Sequence, residues 1–127
     1  MSSQLPLDQV PSLILNIQDL LSKNPPPPGA ESHLLPLFHG KDITVILAQI
    51  QGTLKPHYHT AHDETIYVLA GKGQALVAGA WVDLAPGMVM HFQGTQVHAT
   101  RAESGGKLVF LCHFSPGMKE MDRVFVE

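Results

Sequence analysis

From His33 onward the chain is a succession of short apolar segments, and this pattern limits its folds more than any other feature. The segments are "HLLPLF", "DITVILAQI", "ETIYVLA", "GQALVAG", "WVDLA", "MVMHFQ", "QVHATR" and "KLVFLCHF", and Gly, Pro, Asp or Ser stands between most of them. Val, Ile and Phe favour strands, and the intervening residues favour turns. "AGKGQ" and "ESGGK" read as hairpin connections, and "LAPG" as a turn with proline ahead of glycine. No helical pattern follows His33 to supply the crossovers of a parallel sheet, so the pattern predicts an all-β sandwich or barrel. Several segments are apolar on both faces. One face fills the interior, and the other needs a cover, either the N-terminal segment or a second copy of the chain.

The single helix signal precedes this region. Asn16 is placed to cap "IQDLLSK", with Asp19 in the first turn and Lys23 in the last, matching the helix dipole. "NPPPPG" then stops the helix. Four prolines can neither continue it nor enter a central strand, so the segment is a stiff extended connector. The organisation expected is an arm over residues 1–32, with the helix and the proline-rich connector, followed by one β-barrel domain over 33–127. A chain of 127 residues suffices for one core.

Charge and composition exclude several partners. The net charge is −3 and no basic run occurs, which argues against nucleic acid and anionic membranes. No apolar run approaches the length of a membrane span. The first residues, "MSSQLPLDQVPSLILN", lack the charged and apolar regions of a signal peptide. Cys112 is the only cysteine, which rules out an internal disulfide and suits a reducing compartment. The expectation is a cytoplasmic protein.

The polar residues concentrate in "KPHYHTAHDETIYVLAGKG". On a strand, residues two apart point the same way, so His57 and His59 share one face and Tyr58 takes the other. After the short loop "TAHD", Glu64 opens the next strand alongside the two imidazoles. Two neutral nitrogens and a carboxylate on one side of an ion leave positions open for chemistry. A fourth ligand then comes from a distant strand, and His98 is the candidate. The donor set suits one divalent transition metal, with Fe, Mn, Ni and Zn all compatible. His62, two residues before Glu64, is a candidate acid–base group at the rim, and Asp63 a turn residue.

Gly52, His57, His59, Glu64 and Gly71 match the first motif of the cupin superfamily, a glycine, His-x-His, a glutamate and a glycine, with a first spacer of four residues where the family usually has five. Gly87 and His98 fall at the spacing of the second motif, in which Gln93, Thr95 and Ala102 replace the usual proline, glycine and asparagine. Over roughly residues 40 to 115 the chain resembles a small single-domain cupin. The resemblance implies a jelly-roll β-barrel (double-stranded β-helix) and a metal held by His57, His59, Glu64 and His98. Cupins include dioxygenases, isomerases, lyases, sugar-binding modules and storage proteins, so the fold alone does not fix an activity.

Alternation along the strands gives the pocket a character. Ile66 and Val68 face inward after Glu64, and Tyr67 faces away. In some cupin lyases a tyrosine base occupies the position of Ile66, which counts against that mechanism here. Ile46, Ala48 and Ile50 form one set on their strand, and Gln49 and Gln51 the other. No arginines cluster for a phosphate or dicarboxylate. A small, mostly neutral substrate or ligand is expected. Met88, Met90 and Phe92 read as core, His91 points away from the site, His33 and His39 are solvated, and Cys112 is a small buried hydrophobe. His113 lies on a strand apolar on both faces, and its side is open. The leading reading is a metal-dependent dioxygenase or related oxidoreductase. The alternatives are a metal-dependent isomerase or lyase, and a binding or sensing module without turnover. Charged residues make up only 15% of the chain, against roughly a quarter in an average domain. With the two-faced apolar strands, this predicts a homodimer. Sedimentation at micromolar concentration should give twice 13.8 kDa, and a monomer would contradict it.

Overall fold

The structure, a computed structural model, describes residues 14–126. The first residues, on which the signal-peptide reading rests, lie largely outside that range. One helix, α1 (Ile17–Lys23), is capped as expected: the Asn16 side chain accepts from the Asp19 backbone N–H at 3.0 Å. No helix among the described residues is long and apolar enough to cross a membrane.

Ten strands follow. They are β1 (Ser32–His39), β2 (Thr44–Ile50), β3 (Thr53–Tyr58), β4 (Asp63–Ala70), β5 (Gly73–Val77), β6 (Ala80–Leu84), β7 (Val89–Phe92), β8 (His98–Ala102), β9 (Leu108–Ser115) and β10 (Val124–Phe125). They form two five-stranded antiparallel sheets, ordered β1-β2-β9-β4-β7 and β10-β3-β8-β5-β6. This is the jelly-roll barrel expected from the strand pattern. Pro36 is accommodated because β1 is an edge strand, and the register shifts beside it between Pro36 and Phe38.

The interior is filled by alternate residues of both sheets. Ile46, Ala48 and Ile50 of β2, Ile66 and Val68 of β4, and Phe110, Cys112 and Phe114 of β9 belong to one buried cluster with Phe92. Burying each large side chain contributes roughly 1.5–3 kcal/mol. Every residue of β2 is buried, including Leu47 and Gln49 on the face turned away from that cluster. The cover there includes the N-terminal arm. Gln49 donates to the carbonyl of Asn24 at 2.9 Å, where α1 ends, and accepts from Lys107 at 3.0 Å. A buried amide on an outer strand face is thereby satisfied. Phe92 is core as expected and Met90 is half-buried, but Met88 is 38% exposed. It precedes β7, in the turn after Pro86, and its sulfur accepts from the Ala85 N–H at 3.2 Å. His113 falls on the outer face of β9, because Cys112 and Phe114 take the inner one.

Gly71, in the turn from β4 to β5, adopts φ +83°, and a Cβ there would lie 1.8 Å from the backbone oxygen of Lys107. Gly79 has the same φ of +83°, but nothing lies within 4 Å of its Cβ position. The pair separates conformational strain from close approach. Alanine at Gly79 should cost roughly 1–2 kcal/mol, the left-handed penalty alone. Alanine at Gly71 should cost at least about 2 kcal/mol more, because backbone must move. Equal losses in urea unfolding would show that the close approach is unimportant.

Candidate metal centre

The register of the sheets brings four side chains together at one end of the barrel. His57 on β3 pairs directly with His98 on β8. His59 follows the end of β3, and Glu64 lies on β4 of the opposite sheet, with Phe92 and Phe114 as its neighbours across the ladder. All four are buried, at 2–4% exposure. One ligand atom from each lies within 4.8 Å of every other. Donors bound at ~2.1 Å to one ion can be at most about 4.2 Å apart, so the group closes on a metal by shifts of under about an ångström.

Each imidazole is oriented by its other nitrogen. Nδ1 of His57 meets the carbonyl of Lys55 at 2.6 Å, Nδ1 of His98 meets that of Gln96 at 3.0 Å, and Nδ1 of His59 meets that of Asp122. A carbonyl only accepts, so all three Nδ1 atoms carry hydrogen, and in the neutral rings Nε2 presents a lone pair. Nε2 of His59 lies 3.0 Å from Oε1 of Glu64, and Nε2 of His98 lies 2.8 Å from the same oxygen. Lone pairs aimed at a carboxylate oxygen repel unless a proton or a cation lies between them. The donor chemistry therefore fits a divalent metal. Packing fixes the rings further: His98 stacks on Phe92 with centroids 4.2 Å apart, and His59 meets Phe114 edge-on at 5.2 Å.

Electrostatics follow from burial and these bonds. Burial pushes His57 down to about 4, against the pull of its bond to Lys55. Burial alone would raise Glu64, but hydrogen bonds with His59 and His98 outweigh it and hold the carboxyl at about 2. Burial alone would lower His59, yet the bonds to Glu64 and to the Asp122 carbonyl raise it above its ordinary value. Cys112, buried beside Glu64, has its thiol pushed well up by burial and by that carboxylate, so it stays protonated.

The loop and strand around the ligands are held from two directions. The turn before His98 keeps its course although Thr95 stands where the cupin motif has glycine. Thr95 takes φ 72°, a left-handed conformation that is strained for a β-branched residue. Its N–H donates to the His59 carbonyl at 2.6 Å, and the Gly94 N–H donates to Asp63 at 2.8 Å. The second support is the C-terminal segment, including β10. Val124 and Phe125 pair with Tyr58 and His57, and the Val126 N–H donates to the Pro56 carbonyl at 3.0 Å. Asp122 accepts from the Thr60 hydroxyl at 2.6 Å, from the Ala61 N–H at 2.8 Å and from His62 Nδ1 at 2.7 Å. These bonds hold its carboxyl well below the usual range despite the opposing effect of burial. His62 thus lies against Asp122, outside the group of side chains that line the cavity.

The cavity at the ligands has an empty volume of about 300 Å³, and the centre of a water molecule can reach only about 20 Å³ of it. That is room for about one or two waters. Its walls are mostly apolar, with Leu34, Ile46, Leu54, Phe110 and Phe114. Two further lining residues, Met121 and Arg123, come from the C-terminal segment, so the site is not free of charge beyond its ligands. Sequence alternation missed them because a two-residue strand leaves no period to read. A larger surface concavity, with an empty volume of about 1030 Å³, lies near Lys72, Asp83 and Glu103. Three of its polar side chains are engaged with one another, Arg101 bonded to Gln74 and stacked on Trp81, and Gln74 bonded to Asp83. It has no converging donor set, so the chemistry belongs to the histidine cluster.

Metal uptake must displace the proton that His59 keeps in its raised range, whereas His57 is already neutral above about pH 5. Affinity should therefore fall as pH is lowered through the neutral range, by about tenfold per pH unit or more, since ligands bind deprotonated. Titration with zinc(II) at pH 5.5 to 7.5 checks this, and a constant affinity would contradict it.

Comparisons with known proteins agree with this architecture. Residues 44–114 match the cupin domain family model. An uncharacterized protein of Aquifex aeolicus is 34% identical over 97 residues, covering 76% of this chain and 79% of its own. A Klebsiella pneumoniae protein with a double-stranded beta-helix domain superposes with a TM-score of 0.76 at 18% identity, covering 91% of this chain and 98% of its own. An ectoine synthase from P. lautus superposes with a TM-score of 0.64 at 20% identity, covering 84% and 80%. With a family model matching more than half its length, and the barrel and the four buried motif residues in place, this chain belongs to the cupin family.

Proposed function

We propose that this protein is a metal-dependent enzyme in which His57, His59, Glu64 and His98 hold one divalent ion, and that it oxidises a small molecule with dioxygen. The observation that carries the metal reading is the convergence of two imidazole Nε2 atoms on a buried carboxylate beside a third imidazole, with each ring locked through Nδ1. A divalent ion held by these four residues would supply a Lewis acid for an oxygen-bearing substrate, and iron would in addition support reaction with oxygen.

The walls favour the oxidative reading over elimination or isomerisation. Those reactions need a side chain that accepts a proton beside the substrate. Among the described residues, the titratable groups lining the cavity apart from the ligands are Cys112 and Arg123. The first is held protonated, and the second is a cation that does not act as a base. Ile66, where some cupin lyases carry a tyrosine base, is buried and apolar. A metal-dependent isomerase or lyase reaction is the alternative. His62 is read as a brace for the loop between the two ligand-bearing strands, through Asp122.

His59→Ala should weaken metal retention by about 100-fold or more while far-UV circular dichroism stays that of a barrel. Iron-loaded protein should consume oxygen with a member of a panel of small phenols, diketones, thiols and hydroxy acids, and zinc-loaded protein should not. Turnover in the zinc or nickel form without oxygen uptake would transfer the assignment to a lyase or isomerase. Stoichiometric metal with no turnover would leave a binding module.

A further inference from the structure

The residue that the ligand set leaves unexplained is Arg123. It is half-buried and lines the same cavity as His57, His59 and Glu64. Its guanidinium lies over the ring of Phe125 at 4.9 Å. Among the described residues it makes no ion pair with a carboxylate and no side-chain hydrogen bond. Arginine keeps its charge and offers five N–H donors, and those of Arg123 are free to meet an acceptor that enters the cavity, while its charge already acts on the Glu64 carboxylate. The backbone fixes its place. Asp122, just before it, is tied to Thr60, Ala61 and His62, and Val124, just after it, is paired with Tyr58 on β3. A cation is thus held at the cavity wall, with the metal ligands on the same cavity.

We propose that Arg123 is the specificity-determining residue of this site and that it selects substrates carrying one carboxylate, which it binds while the rest of the molecule faces the ligands. The proposal rests on the metal-site reading for what happens to the substrate, but the recognition step belongs to Arg123 itself. A single guanidinium matches a single carboxylate in a bidentate pair. A phosphate would call for more donors than the cavity offers, since its other lining side chains beyond the ligands are apolar or thiol and thioether groups. The expectation of a mostly neutral substrate is revised accordingly.

The test is calorimetric titration of cobalt(II)-loaded and metal-free protein with glycolate and with its neutral isostere glycolamide. Wild-type protein should prefer glycolate by about tenfold or more, as a charge-assisted pair implies. Arg123→Gln should abolish most of that preference with cobalt content unchanged, and Arg123→Lys should keep part of it. A wild-type preference retained in Arg123→Gln overturns the proposal, as does equal binding of the two probes by wild type. Should Arg123→Gln not fold, Arg123→Lys decides: a several-fold loss of preference supports the proposal, and an unchanged preference overturns it. Failure to take up cobalt would refute the metal-site reading alone. The metal-free titration still reports on Arg123, because the preference for glycolate should persist there and fall in the variant.

Discussion

The structure is organised around one buried carboxylate. Glu64 is held ionised at 4% exposure, where an uncompensated charge would be prohibitive. Its compensation is a proton or a cation shared with two imidazole nitrogens, which lie 3.0 and 2.8 Å from the same oxygen. Those rings are useful only if they cannot turn away, and each is fixed through Nδ1 by a backbone carbonyl. Removing any member of this set leaves another buried and unpaired. The arrangement is therefore stable only as a unit or when a cation completes it.

The barrel serves this unit by geometry. β3 and β8 belong to one sheet and β4 to the other, so the ligands bridge the two layers and the sheets must stay in register for the site to exist. The aliphatic and aromatic interior beneath, with Ile66, Val68, Phe110 and Phe114, keeps that register without contributing charge. It also lowers the local dielectric, which strengthens each polar contact at the site. The strain at Thr95 has a matching explanation. The turn before His98 is held on both sides, by Asp63 and by the carbonyl of His59, so the left-handed conformation persists at a β-branched residue.

The C-terminal segment has a separate part. It contributes no metal ligand, yet it orients His59 through the Asp122 carbonyl, clamps the 60–62 loop through the Asp122 carboxylate and puts Met121 and Arg123 on the cavity wall. Beyond β9 the chain carries no cupin motif, and the selectivity proposed for Arg123 rests on this segment.

Much of the fold was legible in the sequence because its signals are local. Period-2 alternation placed Ile66 and Val68 inside and Tyr67 outside and set Ile46 and Ala48 on one face of their strand, and Asn16 announced the helix it caps. His57, His59 and Glu64 were legible for the same reason, since strand parity and one short loop bring them together. His98 depended on spacing, because its pairing with His57 is a long-range register that no local pattern encodes. Three things were decided only by the folded chain. Met88 fell in a turn because β7 begins after it, a boundary that one residue of alternation cannot fix. His62 turned toward Asp122, sixty residues away. Arg123 entered the cavity because two residues of backbone pairing carry it there. Sequence alone determined the strands, their faces and the ligand types. The tertiary structure decided which distant charges meet, since contacts across dozens of residues depend on the register of packed sheets and leave no period in the chain.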